Sequence, residues 1–272
     1  MIMKETVLIT GASSGIGLEL AKCFAADKSN LILVARNTAA LESLAAELRG
    51  KFKIEVHVLT ADLSRTDAPQ FVFDELKGSG IVVDVLVNNA GFGLHGGFAE
   101  LPLARQLEII QVNVASLVAL TGLFLSGMIE RKRGGILNVG SVAGFLPGPN
   151  MAVYCATKAF VQSFTEAVAE ELPDTGVTVM AFAPGATDTN FGKVARGQKQ
   201  RQQNVAKMPV NIAARCAHKN FRRGKIVSVP GFGNRLVIFL IRLMPRWLPR
   251  KLFKYYNRMD EGGVVGVRAN LK

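Results

Sequence analysis

A chain of 272 residues, 49% of them hydrophobic, suits one α/β domain or two small ones and allows a large core. Its three cysteines (Cys23, Cys155, Cys216) are odd in number and far apart, which argues against a disulfide framework and fits a reducing cytosol; neither they nor the three histidines (His57, His95, His218) show metal-ligand grouping. The net charge of +12 belongs to the last third: residues 1–189 hold 14 Lys/Arg against 19 Asp/Glu, residues 190–272 hold 19 against 2, which suits an anionic partner (phospholipid or a phosphorylated carrier) or a solvated surface.

The start, MIMKETVLIT, lacks the basic region, long apolar stretch and small-residue cleavage site of a signal peptide, so a cytoplasmic chain is expected. A first strand is predicted at Thr6–Thr10. It runs into TGASSGIG at 10–17, whose Gly11 permits a tight turn with positive φ. Gly15 and Gly17 open the next helix; without side chains they let a pyrophosphate approach the N–H groups and let the helix pack close to the strand. The spacing is G-x-x-x-G-x-G, not G-x-G-x-x-G, and the turn taken alone also reads as an ordinary strand-to-helix connection.

Further strands are predicted at Leu31–Arg36, Ile54–Thr60, Val83–Val87, Ile136–Gly140, Val177–Phe182 and Lys225–Val229. Helical spacing follows Gly15 and occupies Ala39–Arg49, Thr66–Lys77, Leu103–Arg131 and Met151–Leu172. Strand then helix, repeated, predicts a Rossmann-like, doubly wound α/β fold of about seven parallel strands with helices on both faces. Ligands of such sheets lie beyond the carboxyl ends of the strands. Arg36 ends the second strand, where an acid would bond a ribose 2′-hydroxyl and an arginine accommodates a 2′-phosphate. NADP(H) is therefore preferred over NAD(H), with Asn37 assisting.

Farther on, Asn88, Asn89, Ala90 and Gly91 follow an apolar strand; amides there tie strand ends together and small residues leave space for a cofactor. Asn113 interrupts an apolar helix, where its amide needs partners. Ser141 ends a strand, placed to aim a substrate oxygen. GSVAG is not G-x-S-x-G, so a serine hydrolase is excluded. Tyr154 and Lys158, four apart, share a helix face. A free phenol has a pKa of about 10, and bringing it to neutrality takes roughly 4 kcal/mol of differential interaction. Lys158 and an oxidised nicotinamide, both positive, are suited to share that task.

These motifs, TGASSGIG (10–17), NNAG (88–91), Asn113, Ser141, YCATK (154–158) and PG (184–185), resemble in order and spacing those of the short-chain dehydrogenases/reductases, over roughly residues 5–232. The resemblance implies Tyr154 as acid/base, Ser141 orienting the substrate oxygen, Lys158 tuning Tyr154 and holding the nicotinamide ribose, and Asn113 supporting a water in a proton relay. It implies cofactor contacts from Gly11, Ser13, Ser14, Gly15, Ile16, Gly17, Arg36, Asn37, Asp62 and Leu63 (framing adenine), Asn89, Ala90, Gly91, Tyr154, Lys158, Pro184, Gly185, Thr187 and Thr189. Thr187 stands where the family usually has an aliphatic residue, which leaves the fine contacts open.

Residues 1–232 are thus expected to form an NADP-binding catalytic domain, with the polar, basic 190–222 as a substrate lid, and 233–272 a basic amphipathic extension. The uninterrupted apolar run Leu236–Ile241 is too short to span a bilayer. The extension reads equally as an interfacial segment on anionic lipid at the inner membrane face, as packing against the domain or another subunit, or as a wall of a greasy pocket. No recognised nucleic-acid motif accompanies the charge. The expected function is NADP(H)-dependent interconversion of a ketone or aldehyde and an alcohol, in a homo-oligomer. A 3-oxoacyl-thioester reductase is the alternative within the enzymes, and a nonenzymatic NADP(H)-binding or membrane-adaptor protein the alternative outside them.

Overall fold

The computed structural model describes residues 4–189, 191, 207–245 and 247–260, with side chains as far as 253. Strands β1 (Thr6–Thr10), β2 (Asn30–Ala35), β3 (Val56–Thr60), β4 (Val85–Asn88), β5 (Gly134–Val139), β6 (Val177–Phe182) and β7 (Val227–Ser228) form one seven-stranded sheet. Its order is β3-β2-β1-β4-β5-β6-β7, and every described pairing is parallel. The helices are α1 (Gly15–Ala26), α2 (Thr38–Phe52), α3 (Ala68–Gly78), α4 (Leu103–Ile110), α5 (Ser116–Glu130), α6 (Ala152–Glu170), α7 (Val210–Phe221), α8 (Phe232–Leu243) and α9 (Trp247–Asp260).

The strands are buried on both faces because their side chains alternate between two cores. Val7, Ile9, Leu31, Leu33 and Val87 meet Leu20, Phe24, Leu41, Ala213 and Phe221 of α1, α2 and α7 on one side. Leu8, Ile32, Val34, Leu86 and Ile136 meet Val72, Leu76, Leu120, Phe124 and Val168 of α3, α5 and α6 on the other. The strand order reverses between β1 and β4, so the crevice lies at their carboxyl ends, where such sheets bind ligands.

Two expectations need correction. The lid expected at 190–222 does not extend to 222: Val210–Phe221 is a helix, burying Ala213, Ala214, Ala217 and Phe221 in the first core. Residues 190 and 192–206 of that proposed lid lie outside the described residues. The single helix expected at Leu103–Arg131 contains a π-helical turn, Gln111–Ala115, between α4 and α5. This stretch, Leu103–Glu130, is long and apolar enough to cross a membrane by length and composition; one side of it packs into the core through Ile109, Asn113, Leu117, Leu120 and Phe124, while Leu103, Leu107, Ile110 and Val118 are exposed.

Candidate active site

The β1–α1 turn is built by exclusion of side chains. Gly11 has φ +64°, a left-handed conformation that costs other residues energy. Gly17 has no room: a Cβ there would lie 2.4 Å from the Asn89 Nδ2 and 2.5 Å from the Gly11 carbonyl oxygen. Neither can yield, because Asn89 Nδ2 donates to the Thr10 carbonyl (2.8 Å) and to the Gly11 carbonyl (3.2 Å). The Thr10 hydroxyl completes the knot, accepting from the Asn89 and Ala90 N–H groups at 3.0 Å each. Gly17 thus lets α1 press on the NNAG loop. Gly17→Ala is expected to cost at least about 2 kcal/mol of stability and to weaken NADPH binding by about tenfold or more, read by thermal melting and fluorescence titration. An unchanged melting temperature would refute this packing role.

Ser14 precedes α1 in extended conformation and makes no side-chain capping bond, leaving its hydroxyl and the first-turn N–H groups at the crevice. Arg36, past the end of β2, is exposed and has no hydrogen-bond partner among the described residues. Asn37 does something the sequence reading did not foresee: its Oδ1 caps α2, accepting from the Ala40 N–H at 3.0 Å. Burial pushes the Asp62 carboxyl up. The Ser64 N–H and hydroxyl donated to it, with the Arg36 and Arg65 charges, outweigh burial and hold it below the usual range. Leu63 is buried and its carbonyl accepts from the Ser116 hydroxyl at 2.7 Å.

Inside the sheet, Asn88 Nδ2 donates to Asn138 Oδ1 (2.9 Å) and Asn138 Nδ2 to the Thr165 hydroxyl (2.9 Å), joining β4, β5 and α6 through buried amides. Asn113 stands on the π-helical turn and is buried. Its Oδ1 accepts from the Phe92 N–H (3.1 Å), while its Nδ2 donates to the Phe92 carbonyl (3.0 Å) and the Thr157 hydroxyl (3.1 Å). Thr157 in turn donates to the Tyr154 carbonyl at 2.7 Å. Asn113 therefore ties the loop after β4 to the helix carrying Tyr154.

Helix α6 begins at Ala152 and places Tyr154 and Lys158 one turn apart, both buried. The Tyr154 hydroxyl is hydrogen-bonded to that of Ser141. The Lys158 Nζ donates to the Val139 carbonyl at 2.7 Å and lies 5.9 Å from the Tyr154 ring centroid. A Cβ on Gly91 would come within 3.0 Å of Asn113 Oδ1 and 3.4 Å of Lys158 Nζ, so a side-chain-free floor brings both groups close to the NNAG loop. Ser141 Oγ also accepts from the Ala143 N–H (3.1 Å), which holds its rotamer.

The chain by itself shows Tyr154 and Lys158 without the oxidised nicotinamide expected to share the tuning of the phenol. Burial pushes Tyr154 up to about 12, against which the Ser141 hydrogen bond works. Burial likewise pulls Lys158 down to about 8. Both groups sit where solvent is excluded, and desolvation is the largest cause of each shift.

The far wall comes from the loop after β6. Val142 N–H donates to the Pro184 carbonyl at 3.0 Å, joining this loop to the Ser141 turn. A Cβ on Gly185 would collide with Asn234 Nδ2 at 2.6 Å, so α8 backs this loop directly. Thr187 donates to the Gly185 carbonyl (3.0 Å) and pairs with Met208. Thr189 accepts from the Phe191 N–H (3.3 Å), and its methyl faces Gly15 across the crevice. The Phe191 ring lies 5.1 Å from the Tyr154 ring, covering it. Thr10 and Thr157 lie inside the quoted TGASSGIG and YCATK motifs but carry no expected role, and Phe191 and Asn234 lie outside every motif.

The donor set of this crevice suits a phosphorylated dinucleotide: a helix N-terminus whose Ser14 makes no capping bond, an exposed guanidinium without a hydrogen-bond partner among the described residues, and a buried lysine. Among the described residues no group of His, Cys, Asp and Glu could hold a metal.

Residues 5–200 match the family model described as short chain dehydrogenase. An NADP-dependent 3-hydroxy acid dehydrogenase of Schizosaccharomyces pombe is 37% identical over 75% of this chain and 80% of its own. A very-long-chain 3-oxoacyl-CoA reductase of Rattus norvegicus is 30% identical over 93% of this chain and 80% of its own. A short-chain dehydrogenase from Sphingobium yanoikuyae, solved in complex with NADPH, superposes with a TM-score of 0.78 at 31% identity, covering 98% of this chain and 99% of that one.

Proposed function

The chain belongs to the short-chain dehydrogenase/reductase family of oxidoreductases, and from that premise we propose that it is an NADPH-dependent reductase of a ketone or aldehyde. One observation carries the reading: a buried phenol hydrogen-bonded to a serine hydroxyl, with a buried lysine one helical turn on, at the carboxyl edge of β5. When bound, NADPH supplies the hydride. The chain does the rest. Ser141 aims the carbonyl oxygen at Tyr154, and the Tyr154 hydroxyl delivers the proton to the nascent alkoxide. A phenol pushed up to about 12 is protonated at neutrality, as a proton donor must be; reduction as the working direction rests on the proposed use of NADPH. Lys158 holds the nicotinamide ribose; Asn113 is a positioning residue through Thr157.

Arg36 is proposed to select NADPH through the 2′-phosphate. The preference is supported by the NADPH in the Sphingobium structure and by the name of the yeast relative. Titration with both cofactors, followed by a panel of soluble and lipophilic carbonyls, tests the whole reading. Arg36→Ala is expected to weaken NADPH at least about tenfold and leave NADH within about twofold, since a charge-assisted contact is worth about 1.5–3 kcal/mol. Equal loss for both cofactors would remove the 2′-phosphate role, and absence of turnover on every carbonyl would leave the nonenzymatic reading standing.

The name of the rat relative favours a second reading, a 3-oxoacyl thioester as substrate. Its phosphates would meet the basic residues after 189, so its turnover should fall steeply with salt, and salt indifference would count against it.

A further inference from the structure

Helix α8 is amphipathic with its apolar side turned outward. Asn234, Ile238 and Ile241, at i, i+4 and i+7, face the protein, and Ile238 is the buried member. The opposite side carries Phe232, Leu236, Phe239, Leu240 and Leu243, all exposed; Phe232 is 79% and Leu243 68% exposed. Trp247 and Leu252 of α9 are exposed as well. Monomeric soluble proteins rarely leave so many large apolar side chains together in water.

The charge on residues 232–253 has one sign. Arg235, Arg242, Arg250 and Lys251 are exposed on the same two helices, and residues 232–253 contain no Asp or Glu. Lys251 lies over the Trp247 ring at 5.5 Å, cation beside aromatic, as at a lipid headgroup boundary. Packing against a second protein surface needs no such one-signed excess, whereas an anionic bilayer rewards both the apolar face and the cations.

We propose that α8 and α9 form a peripheral docking surface for anionic phospholipid bilayers. The surface is continuous with the crevice. Asn234 backs Gly185, and the Arg242 guanidinium lies 5.5 Å from the Phe145 ring, in the turn that follows Ser141. A docked molecule therefore holds one wall of its crevice against the lipid. The docking stands apart from the chemistry; only its consequence, access to lipid-borne carbonyls, rests on the reductase reading.

The chain has one tryptophan, and it is exposed on α9. Full-length protein is mixed with vesicles of phosphatidylglycerol and phosphatidylcholine, or of phosphatidylcholine alone. Expected are flotation with the anionic vesicles and a blue shift of Trp247 emission, both weakened as salt rises from about 0.1 to 1 M and the Debye length shrinks from about 10 to 3 Å. The double variant Leu236→Glu/Phe239→Glu is expected to lose at least about tenfold in vesicle partition, and Arg250→Glu/Lys251→Glu about as much. Unchanged melting temperature and soluble-carbonyl turnover show that each variant is folded. No flotation and no shift on anionic vesicles overturns the proposal, as does full binding by the first variant. Concentration-dependent dimerisation that this variant abolishes, without vesicle binding, gives the face to a second copy and equally overturns it. Vesicle binding without carbonyl turnover sinks the reductase reading and leaves docking intact.

Discussion

Tyr154→Phe is expected to lower carbonyl turnover by at least about a thousandfold while NADPH affinity stays within about twofold. A positioned general acid contributes about 10²–10⁴-fold, and no other described hydroxyl is bonded to Ser141 at this point. The substitution removes one oxygen and little else. The ring keeps its contact with Phe191 and the close approach of Gly93, where a Cβ would lie 2.8 Å from Tyr154 Cδ2. Ser141 retains the Ala143 N–H, so its hydroxyl is not orphaned. Melting temperature should therefore hardly move, which separates lost chemistry from lost fold. Stopped NADPH oxidation with intact cofactor titration supports the assignment; turnover within about tenfold of the parent would refute it.

The parts of this molecule that repeat were legible, and the parts that depend on depth were not. The strands read directly because runs such as Val7–Thr10 and Leu31–Val34 are buried on both faces and carry no competing helical period. The Tyr154 and Lys158 pair read as one helix face from spacing alone, and the structure places them there. Helix α7 falls inside the expected lid because its buried side is mostly alanine, Ala213, Ala214 and Ala217, a weak apolar stripe interleaved with Asn211, Arg215, His218 and Lys219. The π-helical turn under Asn113 shifts the helical register without leaving a mark in an apolar sequence. The place of Asn37 after Arg36 suggests the cofactor but not its second task, the cap that its oxygen supplies to α2. Sequence shows that a lysine is near Tyr154, not that both groups are buried and that the ammonium donates to the Val139 carbonyl in the free protein; the tuning expected of Lys158 with an oxidised nicotinamide concerns the cofactor-bound state.

That burial makes Lys158 a destabilising charge in the free protein, and Lys158→Met is expected to reveal it as a pH dependence. The folded chain holds the Lys158 proton with a pKa of about 8 against an ordinary 10.5. Between those values the unfolded chain binds more protons than the folded one, so wild-type stability rises with pH across that window. Below about 8 both states are protonated and the full penalty is present. Tyr154 acts oppositely and higher, since its folded value of about 12 lies above the ordinary 10, so its contribution falls as pH rises past about 10. Methionine has no proton to lose and matches lysine in length. The stability gap between Lys158→Met and wild type should thus shift toward wild type by up to roughly 3 kcal/mol from pH 7 to 10, the Val139 hydrogen bond reducing that figure by favouring the ammonium. Urea melts of both proteins without cofactor, across that range, read the gap directly. Parallel pH profiles would mean that the ammonium is not desolvated. Added NADPH should then stabilise wild type more than Lys158→Met, because a ribose hydroxyl gives the buried cation the partner that the folded chain alone supplies only through one backbone carbonyl.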